Sequence, residues 1–128
     1  MSRYVLDASA LLALLNDEPG AGAVASALAD GSIIGSVNLS EAVAILRNND
    51  YSEAEIEVAL ASVELDVPEF TRSHALQAGL MIAKTRRAGL SLGARACLAL
   101  AKGLGLPALT GDRNWLRVNV GVQIDLLR

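Results

Sequence analysis

The stretch RYVLDASALLALL, residues 3–15, contains the first unit of the fold. Its first four residues form a short β-prone run that ends at Asp7. From Ala8 to Leu15 every residue except Ser9 is apolar, which predicts a helix packed into a core. A buried strand followed at once by a buried helix is typical of a parallel sheet that is covered by helices.

The same alternation continues along the chain. Further strands are predicted at 32–36 (SIIGS), 65–70 (LDVPEF), 107–110 (PALT) and 122–126. Helices are predicted at 20–29, from Asn38 to the RNND segment at 47–50, at 52–63, at 71–87 and at 91–102. Pro68 indicates that the strand at 65–70 is an edge strand. Strands separated by helices predict parallel pairing through right-handed crossovers, and therefore an α/β sandwich formed by residues 1–128 as one domain.

The composition excludes several classes of protein. Hydrophobic residues make up 52% of the 128 residues and charged residues 20%, so the chain is too apolar to be disordered. No apolar run reaches the roughly 18 residues that a membrane span requires, and we expect no signal peptide. One cysteine, Cys97, cannot form an internal disulfide, which favours a reducing compartment. We therefore expect a cytoplasmic protein.

The net charge of −3 conceals two halves of opposite sign. Residues 1–70 carry a balance of −10 and residues 71–128 a balance of +7. Such halves either neutralise each other within the fold or across a dimer, or provide a basic face for a polyanion or an acidic protein.

Three carboxylates are predicted to share one edge of the sheet. Asp7 follows the first strand, Asp112 follows the PALT strand, and Glu41 lies near the start of a helix that itself follows a strand. The carboxyl ends of parallel strands form the functional crevice of such folds. Clustered carboxylates repel one another unless they hold a hard cation such as Mg²⁺ or Mn²⁺, which can activate water for phosphodiester hydrolysis.

Each acid also has a structural interpretation. Asp7 is a good N-cap for the helix at Ala8, Glu41 suits the third position of a capping box begun by Asn38, and Asp112 suits a turn. The remaining candidates are weaker: Cys97 is expected to be a small buried hydrophobe, His74 structural and Trp115 a packing residue rather than a base-stacking one. The cations Lys84, Arg86 and Arg87 either complement a helix dipole or contact RNA phosphates.

Four segments carry a family resemblance. VLDASALLALL, NLSEAV, LSLGARACLALA and ALTGDRNW occur in this order, and together they resemble the PIN-domain ribonucleases, most of all the VapC-type toxins of bacterial toxin–antitoxin pairs. The resemblance implies a PIN-like three-layer α/β/α sandwich, with metal-binding acids at Asp7 and Asp112 and a further acid at Glu41. It also implies a supporting hydroxyl at Thr110 and a second one at Ser9.

The function that this resemblance implies is a Mg²⁺-dependent endoribonuclease toxin, with Mn²⁺ as a substitute ion. Its substrate would be a structured RNA, with tRNA as a candidate. A cognate antitoxin would neutralise the enzyme by placing a basic side chain among the acids, and the toxin would be a homodimer.

Ala94 departs from the family pattern, which reads LSLGDRACLALA with an acid at this position. Ser91 is a good N-cap, and position 94 is then the third helical residue, where a carboxylate would favour the helix dipole. The flanking residues keep the family wording, so either an acid was deliberately replaced by alanine or the chain is a naturally degenerate member. In both cases we expect impaired catalysis.

Two other function classes compete. A non-catalytic binding protein that kept the fold but lost the site is consistent with Ala94. A phospho-acceptor signalling domain is disfavoured because it needs paired acids after the first strand, where this chain has only Asp7. Phosphatases of the haloacid-dehalogenase type need a second Asp at the position of Ser9.

Overall fold

The computed structural model describes residues 3–128 and contains one four-stranded sheet in that part of the chain. The strands are β1 (Tyr4–Leu6), β2 (Ser32–Ile34), β3 (Ala108–Thr110) and β4 (Ile124–Leu126). They are all parallel and lie in the order β2-β1-β3-β4. The predicted α/β class with a central parallel sheet is therefore confirmed.

Seven α-helices connect and cover the strands in the described residues. They are α1 (Ala8–Leu15), α2 (Ala21–Ala29), α3 (Ser36–Asn48), α4 (Glu53–Ala61), α5 (Arg72–Leu80), α6 (Ile82–Thr85) and α7 (Leu92–Leu104). Two 3₁₀ helices, Arg86–Ala88 and Arg113–Arg117, complete the described elements. No helix within residues 3–128 combines the length and the apolar character that a membrane crossing would need.

Successive strand residues face opposite sides of the sheet, because side chains in a strand alternate. One face presents Val5, Ile33 and Ala108 to a core formed largely with α7. The other presents Leu6, Ile34 and Leu109 to a second core formed with α1, α2, α3 and α4. The sheet is thus buried on both sides in a three-layer sandwich.

The helix predicted to open at Asn38 begins at Ser36 instead, with Gly35 as its N-cap. Asn38 is therefore the third helical residue, and it is almost fully buried. The interpretation of Asn38 and Glu41 as a capping box is wrong, because Glu41 lies in the second turn of α3. The helix begins two residues earlier than predicted because β2 ends at Ile34, directly before Gly35.

The predicted strand at 65–70 is reduced to a single bridge in which Asp66 pairs with Ile33. Pro68 accepts a hydrogen bond from the Ser36 N–H but has no N–H to donate. The Phe70 N–H bonds to the Ser36 hydroxyl rather than to a strand. The segment therefore follows the edge of the sheet beside β2 without forming a ladder.

The helix predicted over 71–87 is divided into α5, α6 and the 3₁₀ helix Arg86–Ala88. The Thr85 hydroxyl donates to the Met81 carbonyl at 2.9 Å, a side-chain bond that competes with the helical ladder and bends helices. The predicted apolar stripe is also wrong. Leu76 and Leu80 are 61% and 64% exposed and Ala83 is exposed, whereas Ala78, Met81 and Thr85 are the buried positions. The remaining predicted elements end within two residues of the observed ones.

Candidate active site

The candidate site lies at the carboxyl ends of β1 and β3. From β1 the chain passes to β2 on one side, whereas β3 lies on the other side, so the strand order reverses between them. Such a switch point opens a crevice above the sheet. Asp7 directly follows β1, Asp112 is the second residue after β3, and α3 brings Glu41 from the end of β2.

Asp7 is 7% exposed and accepts three hydrogen bonds. Its Oδ1 accepts from the Ala10 N–H at 2.9 Å and from the Ser9 hydroxyl at 2.7 Å. Its Oδ2 accepts from the Thr110 hydroxyl at 2.6 Å. Asp7 is therefore the N-cap of α1, as its structural interpretation predicted, while it also lines the cleft.

The pKa of Asp7 is raised, chiefly because burial penalises the charged carboxylate. The bonds from Thr110, Ser9 and Ala10 oppose this rise, and the negative charge of Asp112 adds to it. Its three hydrogen bonds nevertheless hold the carboxylate in one orientation at the cleft.

Thr110 and Ser9 connect Asp7 to the loop after β3. The Thr110 hydroxyl accepts from the Asp112 N–H at 3.0 Å, and the Ser9 hydroxyl accepts from the Gly111 N–H at 2.9 Å. Each hydroxyl therefore donates to Asp7 and accepts from the loop. This arrangement fixes the loop that carries Asp112 relative to Asp7.

Asp112 itself is exposed and caps the 3₁₀ helix Arg113–Arg117, since its Oδ1 accepts from the Asn114 N–H at 2.9 Å. Its structural interpretation as a turn residue is consistent with this bond. It nevertheless lines the same cleft as Asp7.

Glu41 is held by Asn38, a residue whose place in the site the sequence did not reveal. Asn38 Nδ2 donates to Glu41 Oε1 at 3.2 Å and to the Gly93 carbonyl of α7 at 2.9 Å. Burial raises the pKa of Glu41, the Asn38 bond lowers it, and the charge of Asp7 raises it further. The predicted capping box already paired Asn38 with Glu41, but the contact arises from their spacing of three residues inside α3 and not from a cap.

Position 94 faces the same cleft. The Ser91 hydroxyl accepts from the Ala94 N–H at 3.2 Å, so Ser91 is the N-cap of α7, as predicted. Ala94 is 8% exposed and lines the cleft together with the three acids. At Gly93, a Cβ atom would overlap the Glu41 carboxylate, so the absence of a side chain lets α7 approach Glu41.

The cleft has a volume of about 230 Å³. Trp115 is buried against the core and contributes to its lining. Cys97 is fully buried, and this burial raises the pKa of its thiol, as suits a core residue. His74 forms a capping box with Thr71, the N-cap of α5. Cys97 and His74 therefore have the structural roles that were predicted.

A larger open groove, about 780 Å³, lies beside β4. Its carboxylates are Asp30 and Asp125, and Asp125 is already engaged by the Tyr4 hydroxyl at 2.8 Å and by Gln123. We place the candidate site in the smaller cleft because three carboxylates converge there.

The smaller cleft fits a divalent cation in the chemistry of its donors. Within residues 3–128, no three His, Cys, Asp or Glu side chains form a ready-made cage for an ion. However, carboxylate oxygens are the ligands that hard divalent cations prefer. Burial is the main cause of the raised pKa values of Asp7 and Glu41, and the charges of Asp112 and Asp7, respectively, add to it. Asn38 is one of the lining residues, and its buried Oδ1 atom has no hydrogen-bond partner in the described part of the chain.

Comparisons with known proteins identify related folds. A family model described as "PIN domain" matches residues 4–121. A search of curated protein sequences finds no match.

Three similar solved structures come from bacteria. A DNA-bound VapBC from Salmonella typhimurium is 22% identical, with a TM-score of 0.72 and 100% of both chains covered. VapBC2 from Rickettsia felis, bound to a DNA fragment from its promoter, is 15% identical, with a TM-score of 0.69 over 96% of this chain and 97% of that one. VapC20 from Mycobacterium tuberculosis, described as a sarcin–ricin loop cleaving toxin, is 17% identical. Its TM-score is 0.64 over 82% of this chain and 86% of that one.

Proposed function

This chain belongs to the PIN-domain family, and from that premise we propose that it is a metal-dependent endoribonuclease of the VapC toxin type. Its substrate is a structured RNA, with tRNA as the first candidate, and its metal is Mg²⁺ or Mn²⁺. The convergence of Asp7, Glu41 and Asp112 in one cleft is the observation that carries this proposal. The similar Mycobacterium tuberculosis toxin, described as cleaving the sarcin–ricin loop, supports RNA as the substrate class.

Asp7 and Asp112 would hold the divalent cation, with Glu41 as a further ligand or as the group that orients water. Such a cation activates water and stabilises the charge that develops on a phosphodiester in hydrolysis. Thr110 and Ser9 keep the Asp7 carboxylate in one orientation through the bonds described above.

Asn38 supports Glu41 by holding one carboxylate oxygen in place. Burial raises the pKa of Glu41, so its carboxylate is a stronger base than that of a free glutamate. A residue in this role would orient the attacking water rather than bond covalently to the substrate.

We propose further that Ala94 impairs catalysis in the chain as it stands. Its methyl group lines the cleft where a carboxylate would supply a further ligand. A loosely held ion positions its water poorly, and small misplacements reduce rates by about 10²-fold. Alanine is a good helix former, so α7 tolerates it and activity is lost without loss of structure.

The test compares the chain as given with its Ala94→Asp and Ala94→Asn variants on total tRNA, in Mg²⁺ or Mn²⁺ and in EDTA. Only Ala94→Asp is expected to gain EDTA-sensitive cleavage, because Asn matches its size without its charge. Melting curves check that all three fold alike. Equal cleavage by all three proteins would remove position 94 from the site. No cleavage of any RNA by Ala94→Asp would favour a non-catalytic PIN-like binding protein.

A cognate antitoxin is the proposed protein partner, in keeping with the VapBC complexes that share this fold. Without metal, the cleft is negative and attracts an Arg or Lys side chain of the partner. Because all three acids are held by hydrogen bonds that do not involve Ala94, binding should survive in this chain. A pull-down with the antitoxin encoded beside it tests this, and absence of binding to both this chain and Ala94→Asp would contradict it.

We also propose a homodimer. Leu76 and Leu80 lie one turn apart on α5, and both are more than half exposed. Leucines at this spacing share one helix face, and an exposed apolar patch of this kind marks an interface.

A further inference from the structure

A basic pocket lies between the 3₁₀ helices Arg86–Ala88 and Arg113–Arg117. It has a volume of about 260 Å³ and is separate from the acidic cleft. Its lining consists of Ala83, Lys84, Arg87, Ala88, Arg117 and Val118. Three of these six residues are cations, and none is an acid.

The three cations have no counter-ion in the described structure. Within residues 3–128, the side chains of Lys84, Arg87 and Arg117 make neither a hydrogen bond nor an ion pair, whereas Arg3 pairs with Asp66 at 3.6 Å. Like charges gathered at one pocket repel one another unless an anion binds between them. The pocket is therefore suited to an anionic ligand.

The helix dipole explains only part of this cluster. Lys84 and Arg87 lie in the last turns of α6 and of the 3₁₀ helix that follows it, where cations are favourable. Arg117 reaches the same pocket from a different element, at the end of the 3₁₀ helix Arg113–Arg117. The convergence of two separate segments is a property of the surface, which helix-end stabilisation does not require.

The pocket is connected to the acidic cleft by one short element. The 3₁₀ helix Arg113–Arg117 begins directly after Asp112, which lines the cleft, and ends at Arg117, which lines the pocket. A 3₁₀ helix rises about 2 Å per residue, so the two backbone positions are about 10 Å apart. Trp115, between them, is buried and anchors the helix. A polyanion seated in the cleft would therefore have the pocket within reach, about two nucleotide spacings or less from Asp112.

We propose that this pocket binds a backbone phosphate of the RNA that flanks the bond in the acidic cleft. The assignment rests on the proposed ribonuclease function and adds a second anchoring point to it. Guanidinium groups bind phosphate oxygens through paired hydrogen bonds, and the lysine adds a point charge. The lining side chains offer hydrogen-bond donors and no acceptor, which suits the acceptor oxygens of a backbone phosphate.

The experiment measures binding of a labelled single-stranded RNA by fluorescence anisotropy in EDTA, where cleavage is absent. The triple variant Lys84→Ala, Arg87→Ala, Arg117→Ala is compared with the unchanged chain. A matched control, Arg47→Ala, Arg72→Ala, Lys102→Ala, removes the same charge from exposed positions outside the pocket. Melting curves verify that both variants remain folded.

Each phosphate contact to a single strand contributes about 0.7 to the slope of log K against log salt. Loss of one phosphate contact should reduce the slope by about 0.7 and weaken binding about fivefold at about 0.1 M salt, with convergence near about 1 M. The control variant should retain most of the slope. Equal losses in the two triple variants, or no RNA binding by the unchanged chain, would overturn the proposal.

A polyglutamate peptide serves as the competing anion. If it binds more tightly than RNA and only the pocket variant loses it, the pocket is a docking site for an acidic peptide and the RNA assignment is wrong. The outcome for the proposed function is separate, because it depends on cleavage by Ala94→Asp. If Ala94→Asp cleaves RNA while the pocket variant binds RNA as tightly as the unchanged chain, only the phosphate site is refuted.

Discussion

Replacing Thr110 by Val removes a hydroxyl while it nearly preserves shape. Thr110 is fully buried, its hydroxyl donates to Asp7 at 2.6 Å, and it accepts from the Asp112 N–H at 3.0 Å. A hydrogen bond to a charged group contributes about 1.5–3 kcal/mol and a neutral one about 1 kcal/mol. We therefore expect Thr110→Val to lower the free energy of unfolding by about 3 kcal/mol near neutral pH, which corresponds to a fall of about 12 °C in melting temperature.

Thr85→Val is a matched control. Thr85 is also fully buried, but its hydroxyl donates to the neutral Met81 carbonyl at 2.9 Å. The expected loss is about 1 kcal/mol, and it should be independent of pH because no ionisable group takes part in the bond.

The pH dependence distinguishes the two variants. The Thr110 bond lowers the pKa of Asp7 in the folded protein, so its removal raises that pKa further above its ordinary value. At a pH above the pKa of Asp7 in both the unchanged chain and Thr110→Val, Asp7 is ionised in both proteins. The variant then lacks the full charge-assisted bond. As the pH falls through the folded-state pKa values, Asp7 becomes protonated in both, and the difference shrinks.

The assay is urea denaturation in EDTA at about pH 7.5 and about pH 4.5, with each variant compared with the unchanged chain. Thr110→Val should lose more stability at the higher pH than at the lower one, whereas Thr85→Val should lose the same at both. A loss for Thr110→Val that matches the control at both pH values would refute the argument that its hydroxyl holds an ionised Asp7.

Three further predictions concern the site and the surface. The folded-state pKa values of Asp7 and Glu41 are raised, so their contribution to stability is present at low pH and is lost as the pH rises through those values. Mg²⁺ at about 100 times its Kd should increase the free energy of unfolding by about 2.7 kcal/mol near neutral pH. An unchanged midpoint of urea denaturation would argue against a cation site. Gly93→Ala should lower the free energy of unfolding by about 1–3 kcal/mol, because the added methyl group displaces the Glu41 carboxylate. Gly103→Ala, whose methyl group meets open space, should not destabilise the protein. Equal melting temperatures for the two variants would contradict this. Leu80→Glu should shift a dimer to monomer in sedimentation equilibrium at micromolar concentration, while Val58→Glu on α4 leaves it unchanged; a monomeric unchanged chain would exclude the homodimer.

The fold and the position of the acids could be predicted because they depend on local patterns. The apolar helix after Asp7 and the caps at Asp7 and Ser91 are encoded within a few residues of each site. Parallel strands place their carboxyl ends at one edge, so the strand ends alone predict that Asp7 and Asp112 approach each other.

Prediction failed where contacts between distant elements determined the outcome. Helical periodicity alone gave no reason to expect that Leu76 and Leu80 would be exposed while Ala78 and Met81 are buried. The side that α5 presents to the core depends on its packing against α7, which a single helical pattern does not specify. Within 65–70, the missing N–H of Pro68 limited pairing more than the apolar residues favoured it.

The sequence by itself determined the α/β class, the helix caps and the edge of the sheet at which the acids gather, because each follows from the spacing of neighbouring residues. Only the tertiary structure placed Asn38 between Glu41 and the Gly93 carbonyl, and brought Arg117 beside Lys84 and Arg87. Those contacts join segments that are far apart in the chain, and they form only when packing sets the relative positions of whole helices.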